Sequence, residues 1–355
     1  MTRSGSTVCS APGKLVLLGE YAVLFGHPAV VAAVNRRARV EVRPSDGSRW
    51  QVGAPGYAED PVAFEIRADG VRWLEPADGD VGRWALVEQV FAWLPSAGVD
   101  LAAGEPASLV LDTRAFFHDG PGGPAKLGLG SSAALATALA AALLRRGGGA
   151  APSLDALLDL HRRFQDGRGS GVDLAAALAG GILEYRLIAD GATASVEPVT
   201  LPEGLHTVVA WTGRSTSTAR FLERLDRCLA DGDRTVADLI AGLGEVAGEG
   251  VAHLRAGSVS RWLDDVDRFV AGLEALGEAA GIDILSEAHR ELRRIARAAG
   301  LRYKPSGAGG GDVGVAFTDD PGAAAVFAGA ATGAGFDVLG LGWDPAGLRC
   351  DGAEG

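Results

Sequence analysis

Within Lys126-Leu-Gly-Leu-Gly-Ser-Ser-Ala-Ala134 a glycine-rich turn runs directly into an Ala/Leu-rich helix. Gly128 and Gly130 permit positive φ and close backbone approach, and Ser131 and Ser132 stand where the first N–H groups of a helix have no intrahelical acceptor. Unpaired donors at the positive end of a helix dipole attract an anion, and phosphate is the natural guest. The same residues also fit an ordinary capped helix behind a flexible loop, so other stretches must decide. Lysine usage helps: of the 33 Lys and Arg residues only Lys14, Lys126 and Lys304 are lysines, each within a glycine-containing block. A compact ammonium aimed at a phosphate oxygen is not reproduced by the planar fork of Arg. Asp173, after Gly169-Ser-Gly-Val172 and ahead of the small-residue stretch 174–180, reads either as a helix cap or as a carboxylate facing a cleft.

Periodicity supplies the elements that must hold these residues. Residues 7–10 and 14–18 read as strands with Ala11-Pro-Gly13 as a turn between them, and a β-type run over 30–34 continues through 39–42. Residues 45–80 read as a hairpin region with loops. Helical spacing covers 85–93, 132–146 and 154–164, with strands at 108–112 and 182–187. The 132–146 helix carries few polar residues before Arg145-Arg146 and stops at Gly147-Gly-Gly149, so a central, buried position is expected. A Pro/Gly/Asp cluster near 190–205 marks a change of domain. Beyond it come a strand at 207–211, helices over 216–230, 232–247, 258–279 and 285–299, a strand at 313–317, a helix at 321–333 and a strand at 336–339.

The chain has 355 residues, 47% of them apolar, which suits two domains with a sizeable core. A net charge of −12 argues against nucleic acid or an anionic membrane as the main partner. Cys9, Cys228 and Cys350 are odd in number and far apart, so neither a disulfide framework nor a zinc site is indicated, and a reducing cytoplasm fits. The most apolar run, 133–144, is far short of the roughly 20 residues that span a bilayer. The Walker pattern and the protein-kinase glycine loop are both missing from the sequence.

Taken together, Ala11-Pro-Gly-Lys-Leu-Val-Leu-Leu-Gly-Glu-Tyr-Ala-Val23, Leu127-Gly-Leu-Gly-Ser-Ser-Ala-Ala134 and Lys304-Pro-Ser-Gly-Ala-Gly-Gly-Gly-Asp312 resemble, in order, motifs one, two and three of the GHMP kinases. The resemblance implies a two-domain α+β GHMP kinase fold. Residues 1–195 would form an ATP-binding N-terminal mixed α/β domain of ribosomal-protein-like β-α-β type, and 196–355 a ferredoxin-like α+β C-terminal domain. Motif three, Gly169-Ser-Gly-Val-Asp173 and Trp211-Thr-Gly-Arg-Ser-Thr-Ser-Thr218 are most similar to the phosphomevalonate kinases, whereas Phe25-Gly-His-Pro28 fits either mevalonate-pathway kinase.

The roles implied follow residue by residue. Asp173 is the expected catalytic base and Lys14 its neighbour, keeping it ionised and favouring the oxygen anion of the acceptor. Lys126, Gly128, Leu129, Gly130, Ser131 and Ser132 would wrap the ATP phosphates, with Ser132 on Mg²⁺, and Gly307, Ala308, Gly309 and Gly310 would close over them. The second metal ligand in the family is often a glutamate on the helix before the catalytic aspartate. Here His161-Arg-Arg-Phe-Gln-Asp166 has none, and waters would complete the shell. Tyr21, His27, Arg168, Ser170, Arg214, Ser215, Ser217 and Lys304 are the candidates for the acceptor. The expected reaction is phosphorylation of 5-phosphomevalonate by ATP, with mevalonate as the alternative acceptor and a non-catalytic ligand sensor as the alternative from another class. The expected partners are small molecules, with no nucleic acid and no membrane, for a monomer or homodimer.

Overall fold

The structure, a computed structural model, describes residues 5–45, 47–67, 70–74, 81–120, 123–164, 169–188, 193–216 and 218–351. Arg168 and Ser217, both expected at the acceptor, lie outside the described residues. The first part of the chain forms β1 (Thr7–Leu18), β2 (Ala29–Pro44), β3 (Trp50–Ala54), β4 (Ala58–Arg67), β5 (Gly70–Trp73), α1 (Ala85–Trp93), β6 (Ala107–Asp112), β7 (Phe117–Gly120), β8 (Gly123–Lys126), α2 (Ser131–Arg146), α3 (Leu154–Phe164), α4 (Val172–Ala179), β9 (Ile182–Leu187) and β10 (Ala194–Pro198). The second part forms β11 (His206–Trp211), α5 (Thr218–Ala230), α6 (Arg234–Arg255), α7 (Val259–Ala280), α8 (Glu287–Ala298), β12 (Arg302–Pro305), β13 (Val313–Thr318), α9 (Pro321–Gly333), β14 (Asp337–Leu339) and β15 (Arg349–Asp351).

The larger sheet runs β10-β9-β2-β6-β3-β4-β5, with β1 on β2 and β15 on β1. Its spine is the 16-residue β2, which pairs with β1 along one edge and shares the other between β9 at 29–32 and β6 at 39–44. α2 packs against β1 and β2, and its residues 133, 134, 136 and 138–144 are all buried, as expected of an Ala/Leu helix without a polar face. The smaller sheet is antiparallel, in the order β12-β13-β11-β14. Alternation along β13 divides its two faces: Val313, Val315 and Phe317 join the main core, where Trp262 of α7 meets Phe317 edge-on, while Ala316 packs with Leu292 of α8 and Phe327 of α9.

Two expectations are corrected. The turn at Ala11-Pro-Gly13 is a register shift inside one continuous β1 rather than a break between strands. A Cβ at Gly13 would stand 2.5 Å from the Leu129 carbonyl oxygen and 2.6 Å from Phe116, and the neighbouring Lys14 N–H donates to that carbonyl at 2.8 Å. The bulge therefore lets β1 press against the loop ahead of α2. Second, β15 returns the chain from the smaller sheet to β1, placing Cys350 opposite Cys9, and the two form a disulfide across 341 residues. Spacing along the chain carries no information about such a late strand, and the disulfide removes the argument from cysteine usage for a reducing compartment. Cys228 is buried and free. Among the described residues no helix is long and apolar enough to cross a membrane.

Candidate active site

The turn from β8 into α2 has the anion-site geometry. Gly128 and Gly130 have φ of 77° and 78°, Gly130 occupies the N-cap with no capping side chain, and the first intrahelical bond runs from the Ala134 N–H to Gly130 O at 3.1 Å. The N–H groups of Ser131, Ser132 and Ala133 precede that bond and point out of the helix end. Ser131 is buried, Ser132 is half-buried, and the Leu129 side chain lies in the core while its carbonyl takes the Lys14 N–H.

Lys14 and Asp173 meet at this turn. A Cβ built on Gly130 would stand 3.6 Å from both Lys14 Cε and Asp173 Cβ. Lys14 Nζ is 3.5 Å from the Gly128 carbonyl oxygen and would be 3.5 Å from a Cβ on Gly307, so its ammonium lies where motifs two and three approach each other. Asp173 is in the first turn of α4, behind an N-cap Gly171 with φ 71°, and its Oδ1 accepts from the Leu174 N–H at 3.1 Å.

Motif one bends sharply before the site. Tyr21 has φ 62° and ψ −54°, and the Ala22 N–H donates to the Glu20 carbonyl at 2.7 Å, a γ-turn of the rare, strained hand. Motif three holds that turn. The Tyr21 hydroxyl donates to Ala308 O at 2.5 Å, the Val16 N–H donates to Ser306 Oγ at 2.9 Å, and Glu20 Oε1 accepts from Lys304 Nζ and, at 3.2 Å, from the Gly307 N–H. Lys304 also donates to Val16 O at 3.3 Å and Pro305 O at 2.6 Å. It is fully buried, and burial pushes its ammonium below the usual lysine range. The expectation that Lys304 meets the acceptor is thus corrected: its donors are used in joining the two sheets. Burial, and then the charge of Glu20, push the Tyr21 phenol well up, so it remains a neutral donor.

A cavity of about 460 Å³ opens beside these groups. Lys14, Ser170, Asp173, Gly307 and Ala308 line its polar end, and Val16, Val23, Leu24 and Leu222 supply apolar wall. Tyr21 lines it as expected. Glu20, His161 and Glu223 line it too, and the sequence reading missed all three. Glu20 lay in plain sight in motif one. His161 is in the segment His161–Asp166, whose lack of a glutamate is its plainest feature in the sequence.

The rest of motif three faces inward rather than onto the cavity. A Cβ on Gly310 would stand 2.7 Å from Phe221, Gly309 packs on Ile284, and the Gly310 N–H donates to Ile284 O at 2.8 Å. His289 accepts at Nδ1 from the Tyr303 hydroxyl at 2.8 Å and donates from Nε2 to Gly311 O at 2.9 Å; burial holds its pKa down to about 4. Asp312 has φ 57°, and its carboxyl packs on Gly128 and accepts from the Thr216 N–H at 3.3 Å. Burial raises its pKa, against the opposing pull of Lys14. Lys126 is exposed at the end of β8, also within electrostatic reach of Asp312. Arg214 and Ser215 are exposed, do not line the cavity, and contribute through the Arg214 carbonyl, which takes the Asp312 N–H at 2.7 Å, and the Ser215 hydroxyl on Asp312. His27 packs against Gly244 of α6, away from the cavity lining.

Residues 102–181 match the GHMP kinases N terminal domain and 261–335 the GHMP kinases C terminal domain. The phosphomevalonate kinase of Streptomyces sp. (strain CL190) is 30% identical over 359 aligned positions, covering 90% of this chain and 91% of the relative. The mevalonate kinase of Pyrococcus horikoshii is 27% identical over 325 positions and 86% of each chain. In fold, the chain superimposes on Streptococcus pneumoniae phosphomevalonate kinase in complex with phosphomevalonate and AMPPNP with a TM-score of 0.76, at 20% identity, covering 95% of this chain and 99% of that one. The chain belongs to the GHMP kinases.

Proposed function

We propose that this kinase transfers the γ-phosphoryl group of ATP to 5-phosphomevalonate, giving 5-diphosphomevalonate and ADP. The observation that carries the proposal is the meeting of Lys14, Asp173 and the N-terminus of α2 around Gly130, with Lys14 and Asp173 also lining the 460 Å³ cavity. Phosphoryl transfer needs the reacting groups held in line and the charge on the transferred group offset. The N–H groups of Ser131 and Ser132 hold the nucleotide phosphates, and Lys14 offsets charge between donor and acceptor. An oxygen of the acceptor phosphate attacks the γ-phosphorus as the bond to the ADP oxygen breaks. That phosphate is already largely ionised near neutral pH, so Asp173 takes the remaining proton where one is present.

Mg²⁺ takes oxygen donors and retains several waters, and the half-buried Ser132 hydroxyl beside the phosphate-binding N–H groups fits it. Among the described residues no group of three or more His, Cys, Asp or Glu gathers into a protein cage, as suits an ion that arrives with the nucleotide. The ion would supply further neutralisation of phosphate charge.

The choice of acceptor is supported by the 30% identical Streptomyces relative and by the Lys304–Asp312 block. One observation favours mevalonate instead: among the described residues Lys14 is the one Lys or Arg on the cavity wall. A coupled ADP-release assay with each acceptor tests the assignment. Turnover of phosphomevalonate is expected; turnover of mevalonate alone would reject it. Asp173→Asn should abolish most turnover while leaving ATP binding intact.

A further inference from the structure

Two of the histidines with little exposure, His289 and His253, have polar partners for their rings. His289 uses both ring nitrogens, and His253 Nδ1 is bound to Asp265 at 2.6 Å. His161 differs. It lies in the last turn of α3, is 5% exposed, and its Nε2 is buried with no hydrogen-bond partner among the described residues. Leaving such a group unpaired costs about 1–3 kcal/mol, so it is usually satisfied by something. His161 lines the cavity together with Ser170 and Asp173. The helix face is fixed by its neighbours. Leu157 and Leu158, three and four residues earlier, are buried, and Leu158 fills the space beside Gly171, the residue that starts α4. His161 therefore stands on the side of α3 that abuts the loop delivering Asp173, while Asp159 and Arg163 pair on the exposed side.

A second unpaired atom, Glu20 Oε2, lies on the same wall. Its carboxylate is already held by Lys304 and Gly307, and its charge repels an anion. An imidazole N–H attracts one. An acceptor with two anionic ends needs a donor besides Lys14, and the wall provides His161.

Resting on the kinase reading above, we propose that His161 is a specificity-determining residue whose Nε2–H donates a hydrogen bond to an oxyanion of the acceptor. The oxyanion is a carboxylate or a phosphate oxygen, and these share the required chemistry. A hydrogen bond of this charge-assisted kind, once lost, weakens binding by about tenfold to a hundredfold.

The test is calorimetric binding of 5-phosphomevalonate and of mevalonate to the wild type, His161→Leu and His161→Gln, with steady-state kinetics alongside. In His161→Leu the Kd and KM for phosphomevalonate should rise at least tenfold, with kcat and the KM for ATP within about threefold of wild type. His161→Gln, which keeps an N–H near the same place, should recover most of the loss. Mevalonate weakened to the same degree assigns the contact to the carboxylate; mevalonate unaffected assigns it to the phosphate. Unchanged phosphomevalonate affinity in His161→Leu overturns this assignment alone. A wild type that binds neither acceptor overturns the proposed acceptor and this assignment with it. Should the Leu variant not fold, the ¹⁵N resonance of His161 Nε2 in the wild type decides: it must shift on addition of phosphomevalonate, and a stationary resonance in the bound enzyme rejects the contact.

Discussion

Replacing Lys304 by Met would leave the Glu20 carboxylate in the core with the Gly307 N–H as its remaining donor. Lys304 is fully buried and Glu20 almost so, with side-chain exposures of 0% and 3%, so solvent cannot take over the missing charge. Breaking a buried pair from one side costs about 3–5 kcal/mol, because the abandoned charge keeps its desolvation penalty. With a urea m-value of about 3 kcal/mol/M, the unfolding midpoint should fall by roughly 1–1.7 M. Glu20→Leu combined with Lys304→Met removes both charges and should return to within about 1 kcal/mol of wild type. Activity should not return with it, because the Gly307 N–H has lost its acceptor and the γ-turn at Tyr21 one of its anchors. The assay is urea denaturation of the four proteins of the cycle, followed by kcat and KM on those that fold. A Lys304→Met midpoint within 0.3 M of wild type, on the order of 1 kcal/mol by the same m-value, would refute the account of the seam. So would a double variant no more stable than the single one.

Three other expectations can be checked with similar tools. His289 has a pKa near 4 in the fold against an ordinary 6.5, so the unfolded chain binds the proton more readily. Stability should be complete above pH 6.5 and decline by about 3 kcal/mol as the pH falls to 4; denaturation midpoints for wild type and His289→Gln that run parallel over this range would contradict it. Gly128→Ala places a Cβ against Asp312 at φ 77°, whereas Gly148→Ala, at φ 76°, meets nothing within 4 Å. The first should weaken binding of a fluorescent ATP analogue and the second leave it unchanged, although both lose about 1 kcal/mol or more of stability to the backbone. Closing a loop of 341 residues through Cys9 and Cys350 stabilises by up to about 6 kcal/mol in a chain-entropy count, so Cys350→Ser should lower the midpoint without reductant and match wild type with it.

The parts of the site legible in the sequence are those where the chain itself must take an unusual shape. Gly128 and Gly130 need positive φ, the α2 run has the composition of a buried helix, and Asp173 follows Gly171, another positive-φ residue. A lysine count identifies which charges persist, not whether each faces solvent or, like Lys304, a buried carboxylate. Gly13 was read as a turn because a bulge and a turn require the same residue, and the partner that distinguishes them, Leu129, is far away in sequence. His161, Glu20 and the Cys9–Cys350 pair depend on how helices and strands distant along the chain come together. Local periodicity reports which face of α3 is apolar, but not that a cavity wall completes it.

The joints between motif one and motif three have a mechanical meaning. Val16, Glu20 and Tyr21 are bonded to Ser306, Lys304, Gly307 and Ala308 through donors and acceptors that are mostly buried. Prising the two sheets apart there would tear several of those bonds and expose an ion pair. The seam therefore acts as a fastening between motifs one and three, close to Tyr21 and Ala308.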